Sequence, residues 1–245
     1  MIEPAPATAF PDCHHCARYR SGPAAACLTC ASGQISQPAR SACRVCAQRC
    51  GPGERCPNEL CHSPHRRISR IHAIGYQSGA LRRAIYSYKY GGTRSWSVVF
   101  GRLLLAWLEQ NMADEPPGLI VANPTFAGSC GPGLGHTEAV LAAAADTDAD
   151  HRWPFDLQTP AAIIKTRPTL KSADAQAWSK RVTGTELRDA VHIREPDRTA
   201  GKFVLVYDDI CTTGTQLDAI AGRLIDDGGA ARVEGIVLAR APWRG

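Results

Sequence analysis

The spacing of apolar positions changes along this chain. From Ile68 onward, runs of strand type alternate with runs of helical period. RISRIHAIGYQSG (67–79) predicts a strand and turn. Leu81, Ile85 and Tyr88 recur at helical spacing and predict a helix over 80–90. Residues 96–112 form a second, strongly apolar helical stretch, and GLIVAN (118–123) reads as a short buried strand. A helix is expected over 135–146, a polar loop over 146–156 and a strand over 161–166. Ser172 is placed to cap a helix over 172–182. KFVLVYDD (202–209) is the clearest buried strand. A helix over 215–230, ending at Gly228–Gly229, and a last strand over 231–240 complete the pattern. Strands alternating with helices predict an α/β fold: a largely parallel sheet covered by helices on both faces.

Residues 13–66 lack this texture. They are rich in Cys, Gly, Pro, Arg and Ser and show almost no apolar periodicity, so they cannot build a hydrophobic core. Metal is the usual substitute. The predicted organisation is a loose Pro/Ala-rich tail (1–12), a Cys-rich zinc-binding module (13–66) and an α/β domain (67–245).

The chain holds 11 cysteines, and nine lie within the first 61 residues. An odd count, repeated C-x-x-C spacing and no export signal argue for metal thiolates in a reducing cytoplasm rather than disulfides. Cys13, Cys16, Cys27 and Cys30 have the spacing of one tetrahedral zinc site. Cys43 and Cys46 open a second site, which Cys56 and Cys61 close. Cys50 is the spare, although it could replace Cys46 or Cys56. His14, His15, His62 and His65 are alternative ligands. Closed four-thiolate sites are structural, so two structural zinc ions are expected. An iron–sulfur cluster is disfavoured, because its characteristic run is missing.

Charge follows the same division. Residues 1–70 hold nine Arg and four acids, and residues 71–245 hold 19 basic and 19 acidic residues. The formal excess of +5 therefore sits on the Cys-rich segment. A compact basic module can meet a phosphate backbone, so single-stranded DNA is a candidate partner. Between residues 11 and 70, Tyr19 is the one aromatic available for base stacking, so a protein partner is an equal candidate. The chain is 44% hydrophobic, which excludes wholesale disorder. No apolar run reaches the length of a membrane-spanning helix, and no membrane association is expected.

The strongest chemical signal is VLVYDDICTTGTQL (204–217). A buried strand runs into two carboxylates, then a Thr/Gly turn, then a helix. Backbone N–H groups of Cys211–Gln216 at a helix N-terminus can bind a phosphate. Thr212, Thr213 and Thr215 add hydroxyl donors, and Gly214 allows close backbone approach. Asp208 and Asp209 lie where ligands bind in open α/β sheets, and they suit ribose hydroxyls and a divalent cation. The Gly-Lys-Ser/Thr of a Walker loop and the G-x-G-x-x-G of a dinucleotide fingerprint are both missing.

This stretch resembles the signature of the type I phosphoribosyltransferases. With the Cys-rich amino-terminal module, read as a double zinc ribbon, the chain is similar to the ComF family, which is linked to competence and DNA uptake. IYSYKYGG (85–92) looks like that family's Tyr-Lys-Tyr helix end. KTRPTLKSADAQAWSKR (165–181) resembles its basic segment. The resemblance implies a phosphoribosyltransferase fold, binding of phosphoribosyl pyrophosphate (PRPP) with Mg²⁺, and transfer of the phosphoribosyl group to an acceptor. It implies Asp208 and Asp209 as catalytic residues and Cys211, Thr212, Thr213, Gly214, Thr215 and Gln216 as the 5′-phosphate loop. It assigns Asn123, Pro124 and Thr125 to the pyrophosphate turn. Lys165, Arg167, Lys171 and Arg181, with Lys89 as a further candidate, would supply cations for the leaving group. The family's Arg-Gly-Phe-Asn piece is replaced by Gly133-Leu134-Gly135-His136, and a cation is lost. Residue 2 is Ile, and no glutaminase-sized segment precedes the domain, so an amidophosphoribosyltransferase is not expected. The alternative is a non-catalytic, nucleotide-sensing protein of the same fold whose basic module binds single-stranded DNA or a protein.

Overall fold

A computed structural model describes residues 34–51, 53–126, 134–169 and 179–242, with side chains in the last segment described from Gly184 onward. Six strands and five α-helices are present among them. In chain order these are β1 (Arg70–Tyr76), α1 (Gly79–Tyr90), α2 (Trp96–Asn111), β2 (Leu119–Ala122), α3 (His136–Thr147), β3 (Ile163–Lys165), α4 (Ser179–Ala190), β4 (Val191–Ile193), β5 (Phe203–Cys211), α5 (Thr215–Asp226) and β6 (Arg232–Arg240).

Four strands form one parallel sheet in the order β1-β6-β5-β2. β5 and β6 pair along most of their length, from Phe203↔Arg232 to Cys211↔Arg240. Successive strand residues point to opposite faces, and both faces are apolar here. Leu205, Tyr207, Ile236 and Leu238 pack under α1, α2 and α3. Val204, Val206, Val233 and Val237 pack on the other face with Leu217, Ile220, Ala221 and Leu224 of α5. Such two-sided burial explains why β5 and β6 read as continuous apolar runs rather than alternating ones. α2 buries ten of its residues, among them Trp96, Phe100 and Leu103–Leu105. No helix of the described residues is long and apolar enough to cross a membrane.

Three features differ from the pattern reading. The expected strand over 161–166 is real but short. It pairs antiparallel with β4, apart from the main sheet. β4 itself is only three residues long and carries too little pattern to be read. The helix expected over 172–182 is described from Ser179 and continues to Ala190, with 170–178 outside the described residues. Thr183-Gly184-Thr185 is weakly helix-favouring and reads as a break. In the fold the segment is held because Leu187 and Ala190 are buried.

The described part of the Cys-rich segment, from residue 34 onward, packs against the α/β domain. Ile71 N–H donates to Val45 O at 2.7 Å and Tyr76 N–H donates to Ser36 O at 2.7 Å, which covers the β1 edge of the sheet. Ile35 is buried in the α1/α2 core, and Ala47 joins the opposite one. Gly75 permits this, since a Cβ there would collide with the side chains of Ile35 and Leu81.

Candidate functional site

Two constellations stand out, and they adjoin. The first lies at the carboxyl end of β5. Asp208 and Asp209 are both buried, and the strand runs through them to Cys211. Lys89, from the last turn of α1, places Nζ 2.7 Å from an Asp209 oxygen. Asn123, just past β2, donates Nδ2 to Asp208 at 2.8 Å, and the Asp209 N–H donates to the other Asp208 oxygen at 2.8 Å. Burial, then the neighbouring Asp209 charge, pushes the Asp208 carboxyl up to about 7. Lys165, on β3, is drawn below the ordinary lysine range by burial, and the Asp208 charge opposes this. His136, at the start of α3, is held down by burial and then by the Lys89 charge. Two carboxylates, Lys89 and an amide thus converge on one strand end, while Lys165 Nζ donates to Thr169 Oγ1 at 2.7 Å. Such a set suits a polyhydroxylated or cation-bridged anionic ligand.

The turn after β5 comes next. Gly214 adopts φ 84° and caps α5. Thr213 and Thr215 hydroxyls lie 2.9 Å apart, and Thr215 N–H is aimed at the Thr213 hydroxyl at 3.4 Å. The first amides of α5 have no intrahelical acceptor, which makes this helix start receptive to an anion. Thr212 is exposed, and Thr213, Thr215 and Gln216 are half-buried. Cys211 is buried, and burial pushes its thiol up to about 12, so it is not a reactive thiolate.

The remaining expected residues are spread. Pro124 is buried beside Asn123, and Thr125 is turned toward Glu138 of α3, its N–H donating at 3.1 Å. Arg167 is exposed. Arg181 lies in α4 at a position whose side chain is outside the described set, and Lys171 and Gly133 lie outside the described residues altogether. Lys89 carried the weakest sequence signal of the cations, yet among the described residues it is the one that forms an ion pair with the acidic pair. Its signal was the Tyr-Lys-Tyr helix end: Tyr88 is buried, Tyr90 is exposed, and Lys89 between them faces the strand end.

The second constellation is sulfur. Cys43, Cys46, Cys56 and Cys61 bring their Sγ atoms within 4.8 Å of one another. Three of the separations, Cys43–Cys61, Cys46–Cys56 and Cys56–Cys61, are 3.7 Å. A tetrahedron with metal–sulfur arms of about 2.3 Å has edges of about 3.8 Å, so this group can hold one metal ion, and zinc fits it. The thiols respond to their crowding. Hydrogen bonding from Cys61 pulls Cys46 down to about 4, the same contact drives Cys61 upward, and burial raises Cys56 to about 12. Cys50 stands apart, its Sγ directed at Gln48 O at 3.5 Å. His62 Nε2 lies 2.7 Å from Cys56 O, and His65 is exposed, so neither imidazole faces the sulfur group. Cys13, Cys16, Cys27, Cys30, His14 and His15 lie outside the described residues.

Two wide grooves lie away from the acidic pair. One of about 620 Å³ runs between the Cys-rich segment and β1, lined by Arg40, Arg44, Arg70, His72 and Trp107 among others. The recess directly against the 211–216 turn is about 20 Å³, room for about one water. No protein-family model matches the chain, and no curated protein matches it.

Proposed function

We propose that this chain is a ComF-like phosphoribosyltransferase that binds PRPP with Mg²⁺ at the carboxyl end of β5. One observation carries the reading: Asp208, Asp209, Lys89 and Asn123 converge immediately before a Thr/Gly turn that opens a helix. In this reading the 211–216 amides and hydroxyls take the 5′-phosphate, and Asp208 and Asp209 take the ribose diol and the cation. Lys89 leaves Asp209 to meet the pyrophosphate. The bond from ribose C1 to pyrophosphate breaks as a nitrogen of the acceptor attacks C1. Lysine charge then stabilises the departing pyrophosphate. The recess at the turn is small, so ligand entry requires neighbouring elements to move apart.

Calorimetry with PRPP and Mg²⁺ tests this. Wild type should release binding heat, and Asp208→Ala/Asp209→Ala should lose it. Equal heats from both proteins would remove the proposal. Release of pyrophosphate with a nitrogenous acceptor would extend it to turnover.

The metal reading is part of the same proposal. Zinc fills the Cys43/Cys46/Cys56/Cys61 centre, and Cys13, Cys16, Cys27 and Cys30 supply a second one in a cytoplasmic, reducing setting. Elemental analysis should return two zinc ions per chain. A single ion would leave the second centre without support.

A second reading is favoured by the groove between the Cys-rich segment and β1. Its exposed Arg40, Arg44 and Arg70 surround the half-buried ring of Trp107, a suitable lining for single-stranded DNA. Affinity that falls steeply with salt would support it.

A further inference from the structure

The two constellations are joined by a buried arginine. Arg240 ends β6, and its side chain is fully buried. Nε donates to Cys46 O at 2.8 Å, and Nη2 lies 3.8 Å from Cys46 Sγ. Nη1 donates to Cys211 O at 2.9 Å, to Ala241 O at 3.0 Å and to Thr212 O. No carboxylate is among these partners. A buried guanidinium needs negative charge nearby. Four thiolates around a divalent cation carry a net negative charge, and Cys46 sits directly against the guanidinium. A metal held by these four sulfurs would therefore supply the counter-charge of Arg240.

A second link runs beside it. Asn58 is buried in the loop between ligands Cys56 and Cys61. Its Nδ2 donates to Thr213 O at 2.8 Å, while its Oδ1 accepts from Leu60 N–H at 3.2 Å. Leu60, next to Cys61, closes on Gly214: a Cβ built there would stand 3.0 Å from Leu60 Cδ2. Three consecutive carbonyls of the turn, those of Cys211, Thr212 and Thr213, are thus held from the metal side. In a planar trans peptide the carbonyl and the next N–H point in opposite directions. Anchoring these three carbonyls turns the N–H groups of Thr212, Thr213 and Gly214 away from the metal centre as a set, the arrangement an anion requires.

We propose that the metal centre holds the 211–216 turn in its anion-accepting conformation through Arg240 and Asn58. These are positioning residues: neither is a metal ligand, and neither needs to touch the bound anion. When the metal leaves, the segment carrying Cys46, Asn58 and Leu60 is no longer fixed, its contacts to Arg240 and the turn are released, and the turn loosens. Linkage makes the effect reciprocal, so an anion on the turn tightens metal binding. The structural coupling stands on the contacts above. Its consequence for PRPP rests on the reading under Proposed function.

The test is hydrogen exchange on the full chain, read by mass spectrometry, with metal content measured in parallel. In zinc-loaded wild type, the first hydrogen-bonded amides after the turn, starting with Asp218 N–H on Gly214 O at 2.9 Å, should be protected over residues 218–220. Chelation should raise exchange there at least tenfold while β5 residues 204–208 stay protected. Asn58→Ala should keep wild-type zinc content yet exchange several-fold faster at 218–220. This variant decides the matter should chelation unfold the whole chain. Arg240→Lys keeps the charge but lacks the fork, and should lose zinc to a chelator at least tenfold faster. Unchanged exchange at 218–220, both in chelated wild type and in Asn58→Ala, would overturn the inference. Calorimetry with PRPP and Mg²⁺ separates the two proposals. Wild type that gives no heat but shows the exchange change refutes the PRPP reading alone. Equal PRPP heats with and without zinc, together with unchanged exchange, refute the coupling alone.

Discussion

Gly214 is the residue on which most constraints meet. Its φ of 84° lies in the left-handed region, which side chains with a Cβ occupy at a cost of about 1–2 kcal/mol. A Cβ would also stand 2.7 Å from Ile71 Cδ1. Gly214→Ala should therefore destabilise the protein by about 3 kcal/mol in urea denaturation, strain and overpacking together. Asp208 shows the opposite economy. Its carboxyl titrates near 7 in the fold and near 3.8 when exposed. Below pH 3.8 it is neutral in both states. As pH rises toward 7 the unfolded chain gives up the proton first, so stability falls across that window. Asp208→Asn should thus raise stability on the order of 2–4 kcal/mol at pH 8 and leave it nearly unchanged at pH 4. A variant no more stable than wild type at pH 8 would show that Asp208 is not strained by burial. The types of these residues were legible in 204–217. The partners Lys89 and Lys165 were weaker candidates, because nothing in local spacing shows that α1 and β3 deliver cations to β5.

At the scale of elements, β5 organises the sheet. Its alternate residues feed both cores, and Leu205 is fully buried on the α2/α3 side. Leu205→Ala should cost about 3 kcal/mol by leaving a cavity that two rigid faces cannot close. A cost below about 1 kcal/mol in denaturant titration would mean that this core is loosely packed. Long elements with two-sided burial, such as α2, β5 and β6, declared themselves in the pattern. β4 did not, since three residues hold barely one period, and the antiparallel pairing of β3 with it is decided by the neighbours they meet. The end of α4 was hidden for a related reason. Gly184 interrupts the helical signal, while burial of Leu187 and Ala190 restores the helix.

At the scale of the molecule, the composition of the Cys-rich segment offers no core of its own. Among its described residues, Ile35 and Ala47 enter the two cores of the α/β domain, and its backbone covers the β1 edge. This changes how DNA binding has to be tested. Removing residues 1–66 strips Ile35 from the core and leaves Arg240 buried without Cys46 O or the metal centre. The truncated domain should melt on the order of 10 °C below the full chain, so lost binding would not separate contact from collapse. Arg40 and Arg44 are exposed on the groove and hold no metal, so Arg40→Glu/Arg44→Glu leaves the fold in place. If single-stranded DNA lies in the groove, this variant should bind far more weakly. Its dependence of log affinity on log salt should also be shallower by about 0.7 for each lost phosphate contact. An unchanged affinity and slope in a variant that melts with wild type would move any nucleic-acid contact away from this groove.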